Sequence, residues 1–264
     1  MKRKKMTEAV VHITGGGMQL FAQLVQRLGT TTKTNDKLDA LVDYFQHADD
    51  KDKVWVIALF SGRRPRRTVS GTQLTEWCAE MINLPLWLLQ ECYLTVGDLS
   101  ETIALLIPEV IHNESNPPPN RSLHFYVEKF QQLDQAEEQE KKNFILQSWL
   151  ELNSKERFVF NKLLSGAFRV GVSQNLMVNA LAKFVNLESS VIAHRISGNW
   201  DPSTTGYADL LSEQATAVDY SKPYPFYLAY ALEDELTELG DAEEWQAEWK
   251  WDGIRGQIIK RNNQ

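Results

Sequence analysis

Long apolar runs are missing from this 264-residue sequence. No stretch reaches the roughly 20 consecutive apolar residues that a single membrane-spanning helix requires. The basic start, Met1-Lys-Arg-Lys-Lys5, is followed by Val10, Val11 and Ile13. Polar residues interrupt them and Gly15-Gly-Gly17 ends the segment, so it is too short for the apolar core of a signal peptide. Residues 1–17 read as a flexible leader, with Met18 as an alternative start. Cysteine is scarce: Cys78 and Cys92 are the only two, which excludes a disulfide framework or a cysteine-rich metal site. Both fall among apolar residues, as buried thiols in a reducing cytoplasm do. His12, His47, His112, His124 and His194 are scattered without metal-ligand spacing, so no metal site is expected from these residues. No internal repeat marks a solenoid.

Charge of one sign is also nearly absent as a global feature. The net charge of −7 comes from one place: residues 233–248 carry eight acids and no base, whereas residues 1–232 hold 26 acids and 24 bases. Net charge therefore does not exclude a polyanionic partner, because a local basic face can bind phosphate inside a balanced domain.

What is present is helical periodicity. Leu20, Phe21, Leu24, Val25 and Leu28 fall on one side of a helix over 19–28. Leu38, Leu41, Val42 and Phe45 do the same in a helix capped by Asn35 or Asp36. Further helices are expected over 51–60, from a Thr72 cap to about Ile82, and from Pro85 to Val96. A short one follows from Asp98 or Ser100 to before Pro108. Asn116-Pro-Pro-Pro-Asn120 cannot continue a helix, so 108–121 reads as a loop. Helices resume over 122–133, 137–152, 155–164 after Ser154, 174–186 after Ser173, 189–197 and 203–213. After about residue 215 the texture changes. Tyr220 to Pro225 is linker-like, and Trp245, Ala247 and Trp249 alternate with polar residues as in a strand. The expected fold is mainly α. An all-helical domain over 18–218 is followed, over 219–264, by the first strands of an α+β domain.

The chemistry concentrates in Glu248-Trp249-Lys250-Trp251-Asp252-Gly253-Ile254-Arg255. A lysine attacks phosphorus only as the neutral amine, so its pKa must be lowered by desolvation or nearby positive charge. Trp249 and Trp251 supply bulk around Lys250, and Arg255 supplies charge and several donors for ribose or phosphate oxygens. Asp252 can orient the amine, and Gly253 permits a tight turn close to a ligand. A bare Lys-x-Asp-Gly is a weak pattern and fits an ordinary surface strand. The longer Glu-x-Lys-x-Asp-Gly-x-Arg between two strand-like segments is far more specific.

This octet resembles the adenylation motif of the ATP-dependent DNA ligases. The resemblance implies that Lys250 forms a phosphoramidate with AMP, that Glu248 contacts the adenine amino group, and that Arg255 contacts the nucleotide sugar. Asp252 and Gly253 complete the motif. Upstream, Phe160 to Ala182, containing Gly166-Ala-Phe-Arg169-Val-Gly171-Val-Ser173, looks like the helical DNA-binding domain of these ligases. Gly62-Arg-Arg-Pro-Arg-Arg67 and Val96-Gly-Asp-Leu-Ser-Glu-Thr102 resemble segments of the bacterial, Lhr-associated type. The resemblance implies ATP as the nucleotide, Mg2+ held by residues beyond Gln264, nicked double-stranded DNA as the partner, no membrane, and a monomer in the cytoplasm on the nucleoid. It also implies that the 264-residue polypeptide alone self-adenylates poorly, since further motifs of the adenylation domain and an OB-fold follow in the family.

Two segments are expected to meet DNA. Gly171-Val-Ser173 opens a helix, where free N–H groups and the positive dipole end suit a phosphate, with Arg169 just before it. Arg63, Arg64, Arg66 and Arg67 form the densest basic cluster. Other readings are an RNA-capping guanylyltransferase, which shares the lysine motif, and a non-catalytic DNA-binding module. An NAD-dependent ligase fits less well, because that family usually has Ala where Arg255 stands.

Overall fold

Apolar periodicity becomes twelve helices among the residues that the computed structural model describes. Those residues are 16–109, 119–166, 168, 171–198 and 200–211, with 240, 241, 243, 256, 258 and 260 as isolated positions. The helices are α1 (Gly17–Thr30), α2 (Thr34–His47), α3 (Asp50–Phe60), α4 (Gly71–Met81), α5 (Leu86–Val96) and α6 (Leu99–Leu106). After the loop come α7 (Leu123–Leu133), α8 (Glu138–Glu151), α9 (Ser154–Leu164), α10 (Gln174–Val185), α11 (Ser189–Ser197) and α12 (Tyr207–Leu211). No strand occurs among the described residues, and the mainly α expectation holds. The strands expected after residue 219 fall where only those isolated positions are described. No single described helix is long and apolar enough to cross a membrane.

Three expected caps are displaced, two of them because a neighbour completes a reciprocal capping box. α4 is capped by Ser70, not Thr72: Ser70 Oγ accepts from the Gln73 N–H at 3.1 Å and the Gln73 amide returns to the Ser70 N–H at 3.0 Å. The same reciprocal box, Asn153 with Glu156, opens α9 one residue before Ser154. α2 begins after Lys33, leaving Asp36 in the first turn, where its charge suits the dipole. The expected Ser173 cap is in place, Asp98 rather than Ser100 caps α6, and Ser122 caps α7. The last helix shrinks from 203–213 to α12, because Asp201 Oδ1 accepts from the Ser203 N–H and hydroxyl at 2.8 and 2.6 Å and holds a turn instead. Residues 212 and 213 are outside the described set.

α3 is the central helix. Every residue from Val54 to Phe60 is buried, as a helix surrounded by others requires. α1 lies between α2 and α9, α2 packs along α10, and α6 packs along α9. Aromatic rings join the layers. Tyr126 and Phe130 of α7 meet Phe160 of α9 edge-on at 5.4 and 5.2 Å between centroids. Phe168 stacks on Phe21 of α1 at 5.7 Å and lies 5.9 Å from Phe60 of α3. At the start of α1, Gly17 has φ of +60°, and a Cβ there would stand 2.5 Å from the Arg121 carbonyl oxygen. Met18 N–H donates to that same oxygen at 2.8 Å, so the backbones approach too closely for any side chain. α1 thus opens one residue inside the expected leader.

Buried polar groups tie helix ends together. Asp52 of α3 is 2% exposed and accepts from the Leu123 and His124 N–H groups at 3.2 and 2.8 Å, supporting the start of α7. Asp98 caps α6 through the Glu101 N–H at 3.1 Å and pairs with Lys162 of α9. Burial pulls the Asp98 carboxyl upward, but the Lys162 ammonium and the backbone N–H groups outweigh it, so its pKa lies below the usual value. A depressed carboxylate contributes stability that is present above the unfolded value of about 3.9 and is lost as pH falls through the folded one. Asp98→Asn should therefore make the fall in urea stability between pH 5 and 3 less steep. An unchanged acid limb would show that this pair adds nothing.

Candidate nucleic-acid interface

The basic loop owes its direction to the end of α3. Gly62 N–H donates to the Leu59 carbonyl at 3.3 Å and Arg63 N–H to the Ala58 carbonyl at 2.8 Å, with Gly62 at φ +87°. This left-handed cap turns the chain sharply and separates the four arginines. Arg63 points inward. Its Nη2 donates to the carbonyls of Gly198 at 2.6 Å and Ile196 at 3.3 Å, and its guanidinium lies 4.5 Å from the centre of the Trp200 ring. It closes the C-terminal end of α11, the negative end of that helix, and burial lowers its pKa from the usual arginine range. Arg64, Arg66 and Arg67 are exposed.

Arg67 Nε donates to the Val69 carbonyl at 3.0 Å. Its Cβ also lies 3.8 Å from where a Cβ of Gly166 would stand. The arginine loop therefore abuts the start of the turn that leaves α9, at Gly166. Phe168, 2% exposed, pins that turn into the core. Beyond it Ser173 Oγ accepts from the Leu176 N–H at 3.2 Å, capping α10. The N–H groups of Gln174 and Asn175, first in the helix, face no preceding turn. Gly171 is exposed with φ of +62°, and its carbonyl accepts from Lys37 Nζ at 2.9 Å. Lys37 thus brings a cation from α2 to the start of α10. A Cβ on Gly171 would stand 3.3 Å from that ammonium.

Lys37 was not among the expected site residues. It is 134 residues from Gly171 in sequence and carries no local signature. Only the packing of α2 along α10 brings them together. Arg169 lies outside the described residues, as do Glu248, Lys250, Asp252, Gly253 and Arg255. No group of His, Cys, Asp or Glu among the described residues is placed to hold a metal ion.

A polar groove of about 740 Å³ runs between the loop and the turn after α11, lined by Arg64, Gln131, Asp201 and Thr204 among others. Hydrogen bonds from the Ser203 hydroxyl and N–H lower the pKa of Asp201. The Asp201 carboxylate offsets part of the Arg64 charge in this groove, so phosphate attraction is strongest at Arg66 and Arg67.

Arg63→Ala should cost about 1–2 kcal/mol in urea unfolding, through two lost charged hydrogen bonds and the stacked ring. It should leave the salt slope of DNA binding as it was. A flattened slope would place Arg63 on phosphate instead.

Residues 18–182 match the family model described as DNA ligase N terminus. No curated protein matches the chain. The match covers α1 to most of α10, including the arginine loop, the Gly171–Ser173 turn and Lys37. With a helical domain of this family making up more than half of its length, the chain belongs to the ATP-dependent DNA ligases.

Proposed function

We propose that the protein seals nicks in duplex DNA through a lysyl–AMP adduct on Lys250. The observation that carries this reading is the order of parts. A ligase N-terminal domain over 18–182 is followed by the octet at 248–255, whose lysine is the residue type that such an adduct requires. The neutral Lys250 amine attacks the α-phosphorus of ATP, a P–N bond forms, and pyrophosphate leaves. A 5′-phosphate oxygen at the nick then attacks the same phosphorus, and lysine departs. The 3′-hydroxyl attacks the activated 5′-phosphorus, closing the strand and releasing AMP. Glu248 reads the adenine and Arg255 the sugar, with Asp252 and Gly253 shaping the turn. Mg2+ would offset phosphate charge in these steps, but the described residues offer no site for it and none is assigned to them.

The helical domain holds the duplex. Arg64, Arg66 and Arg67 on the loop, and Lys37 at the Gly171–Ser173 turn, offer cations for phosphates, and Arg169 joins them in sequence. That suits an enzyme that must find a break in any sequence. On the same reading the protein is a cytoplasmic, nucleoid-associated monomer of the bacterial Lhr-associated type, working in repair, recombination or replication.

Two experiments test this. Labelled ATP, GTP and NAD offered to the protein as the cell makes it should give an alkali-stable, acid-labile adduct from ATP alone. An adduct from GTP would point to a capping enzyme instead. DNA binding without any adduct would leave only a binding module. Separately, Arg64→Ala, Arg66→Ala and Arg67→Ala together should weaken nicked-duplex binding. The slope of log K against log salt should become shallower by about 2 to 3, since each neutralised phosphate contributes about 0.9. Unchanged binding at every salt concentration would remove the loop from the interface.

A further inference from the structure

The sequence between Arg67 and Arg121 contains no lysine and no arginine. It forms α4, α5 and α6, with Gly71 at the start of α4 beside the Arg67 guanidinium. Within it α5 packs only one side. Leu89 is its one buried residue, while Trp87 is 65% and Leu94 72% exposed. Leu86, Trp87, Gln90, Tyr93 and Leu94 follow the i, i+1, i+4, i+7, i+8 spacing of a single helical stripe. Of these five, four are large and apolar and none is charged. A stripe of this kind, left open on the surface, marks an interaction site more often than chance exposure does.

Acids border the stripe on both sides. Glu91 follows Trp87 by one turn on the outer edge, and both are exposed. On the other edge, a groove of about 380 Å³ between α4 and α5 is walled by Leu86, Gln90 and Tyr93 on one side and Thr72, Thr75 and Glu76 on the other. That volume accommodates one or two apolar side chains. Each candidate occupant meets this charge pattern differently. DNA is repelled by it. A second copy of the chain brings the same acids and no lysine or arginine from its own 68–120 segment. Residues 233–248 of this chain, with eight acids, are repelled too.

We propose that the α4–α5 face docks a basic amphipathic helix from a partner protein. Its apolar side chains lie along the Leu86–Leu94 stripe, one of them entering the groove, and its flanking lysines or arginines meet Glu76 and Glu91. This is the helix-in-groove mode, with charge setting which helices are accepted.

The test uses the full chain and a synthetic 18-residue helical peptide with leucines at i, i+3, i+4 and i+7 and lysines on both flanks. A second peptide carries glutamate in place of each lysine. Fluorescence anisotropy should show the lysine peptide binding at least tenfold more tightly than the glutamate one. Leu94→Glu, and separately Glu76→Lys with Glu91→Lys, should each weaken it at least tenfold, with nicked-duplex binding unchanged. Leu94→Glu is exposed and should fold, which its circular dichroism checks. Equal affinity for the two peptides overturns the proposal, and so does indifference to these variants. Concentration-dependent dimers that Leu94→Glu abolishes would assign the face to a second copy instead. In Leu94→Cys, the thiol should react with a maleimide at the rate of a free peptide thiol until the lysine peptide is added. Protection without peptide would show that the chain covers its own stripe, which also overturns the proposal.

Discussion

Lys250→Ala should abolish ATP-dependent joining of nicked duplex, leaving less than about one part in 10⁴ of the wild-type rate. The side chain is the nucleophile, and no neighbour in Glu248–Arg255 offers another amine. Lys250→Arg should be equally inactive, because a guanidinium stays protonated at any pH at which the protein is folded. The informative control is DNA carrying a preformed 5′-adenylate. Both variants should seal it far better than an unadenylated nick, since the final attack by the 3′-hydroxyl needs no free lysine. If Lys250→Ala still forms the adduct or joins unadenylated nicks with ATP, the nucleophile lies elsewhere and the reading of the octet fails. Lowering pH should slow adduct formation in the wild type, because protonation removes the lone pair that attacks phosphorus.

Arg157→Leu should destabilise the domain by about 3–5 kcal/mol, a large part of the 5–15 kcal/mol that holds a typical domain folded. Arg157 has no solvent exposure. Its Nε donates to the Leu152 carbonyl at 2.8 Å. Nη1 donates to the carbonyls of Ile107 and, at 3.4 Å, Ala104. Nη2 reaches the Pro108 carbonyl at 3.2 Å and the Glu109 carboxylate at 3.4 Å. One guanidinium thereby closes the ends of both α6 and α8, where carbonyls have no intrahelical partners. Leucine fills similar space but leaves these carbonyls unpaired in the core, and unpaired buried groups are what make such losses large. Arg157→Lys keeps the charge but loses the planar fork, so it should recover only part of the stability. Urea unfolding measures all three proteins. A loss below about 1 kcal/mol for Arg157→Leu would mean that water substitutes for the side chain.

Most helix positions could be read from the sequence, because each helix buries one apolar stripe and the spacing of that stripe is local. The stripe of α1 lies in the core as its spacing predicts; of the α2 stripe, Leu41 and Phe45 are buried, while Leu38 and Val42 are partly buried against the core. Exact starts were less legible. Ser70 and Thr72, or Asn153 and Ser154, are chemically equivalent caps two or one residues apart. Which one serves depends on whether Gln73 or Glu156 can complete the box. The arginine cluster was visible as composition, but its division was not. Nothing around Arg63 indicates that a carbonyl at Gly198 and the ring of Trp200 will occupy it, 135 residues along the chain. Lys37 and the open face of α5 were hidden for the same reason. A lysine on a polar helix face looks solvated, and Leu86-Trp-Leu-Leu looks like core, until neighbouring helices fix which sides are covered.

The sequence by itself determined the helical class, the apolar stripes, the Ser173 cap and the lysine octet. Each of these is written within a few turns of chain, in spacing and side-chain chemistry. Tertiary structure alone decided that Arg63 and Arg157 close helix ends, that Lys37 meets Gly171, and that one apolar side of α5 stays open. Those outcomes depend on contacts between residues as far as 135 positions apart, and no local pattern records which helix will pack against which.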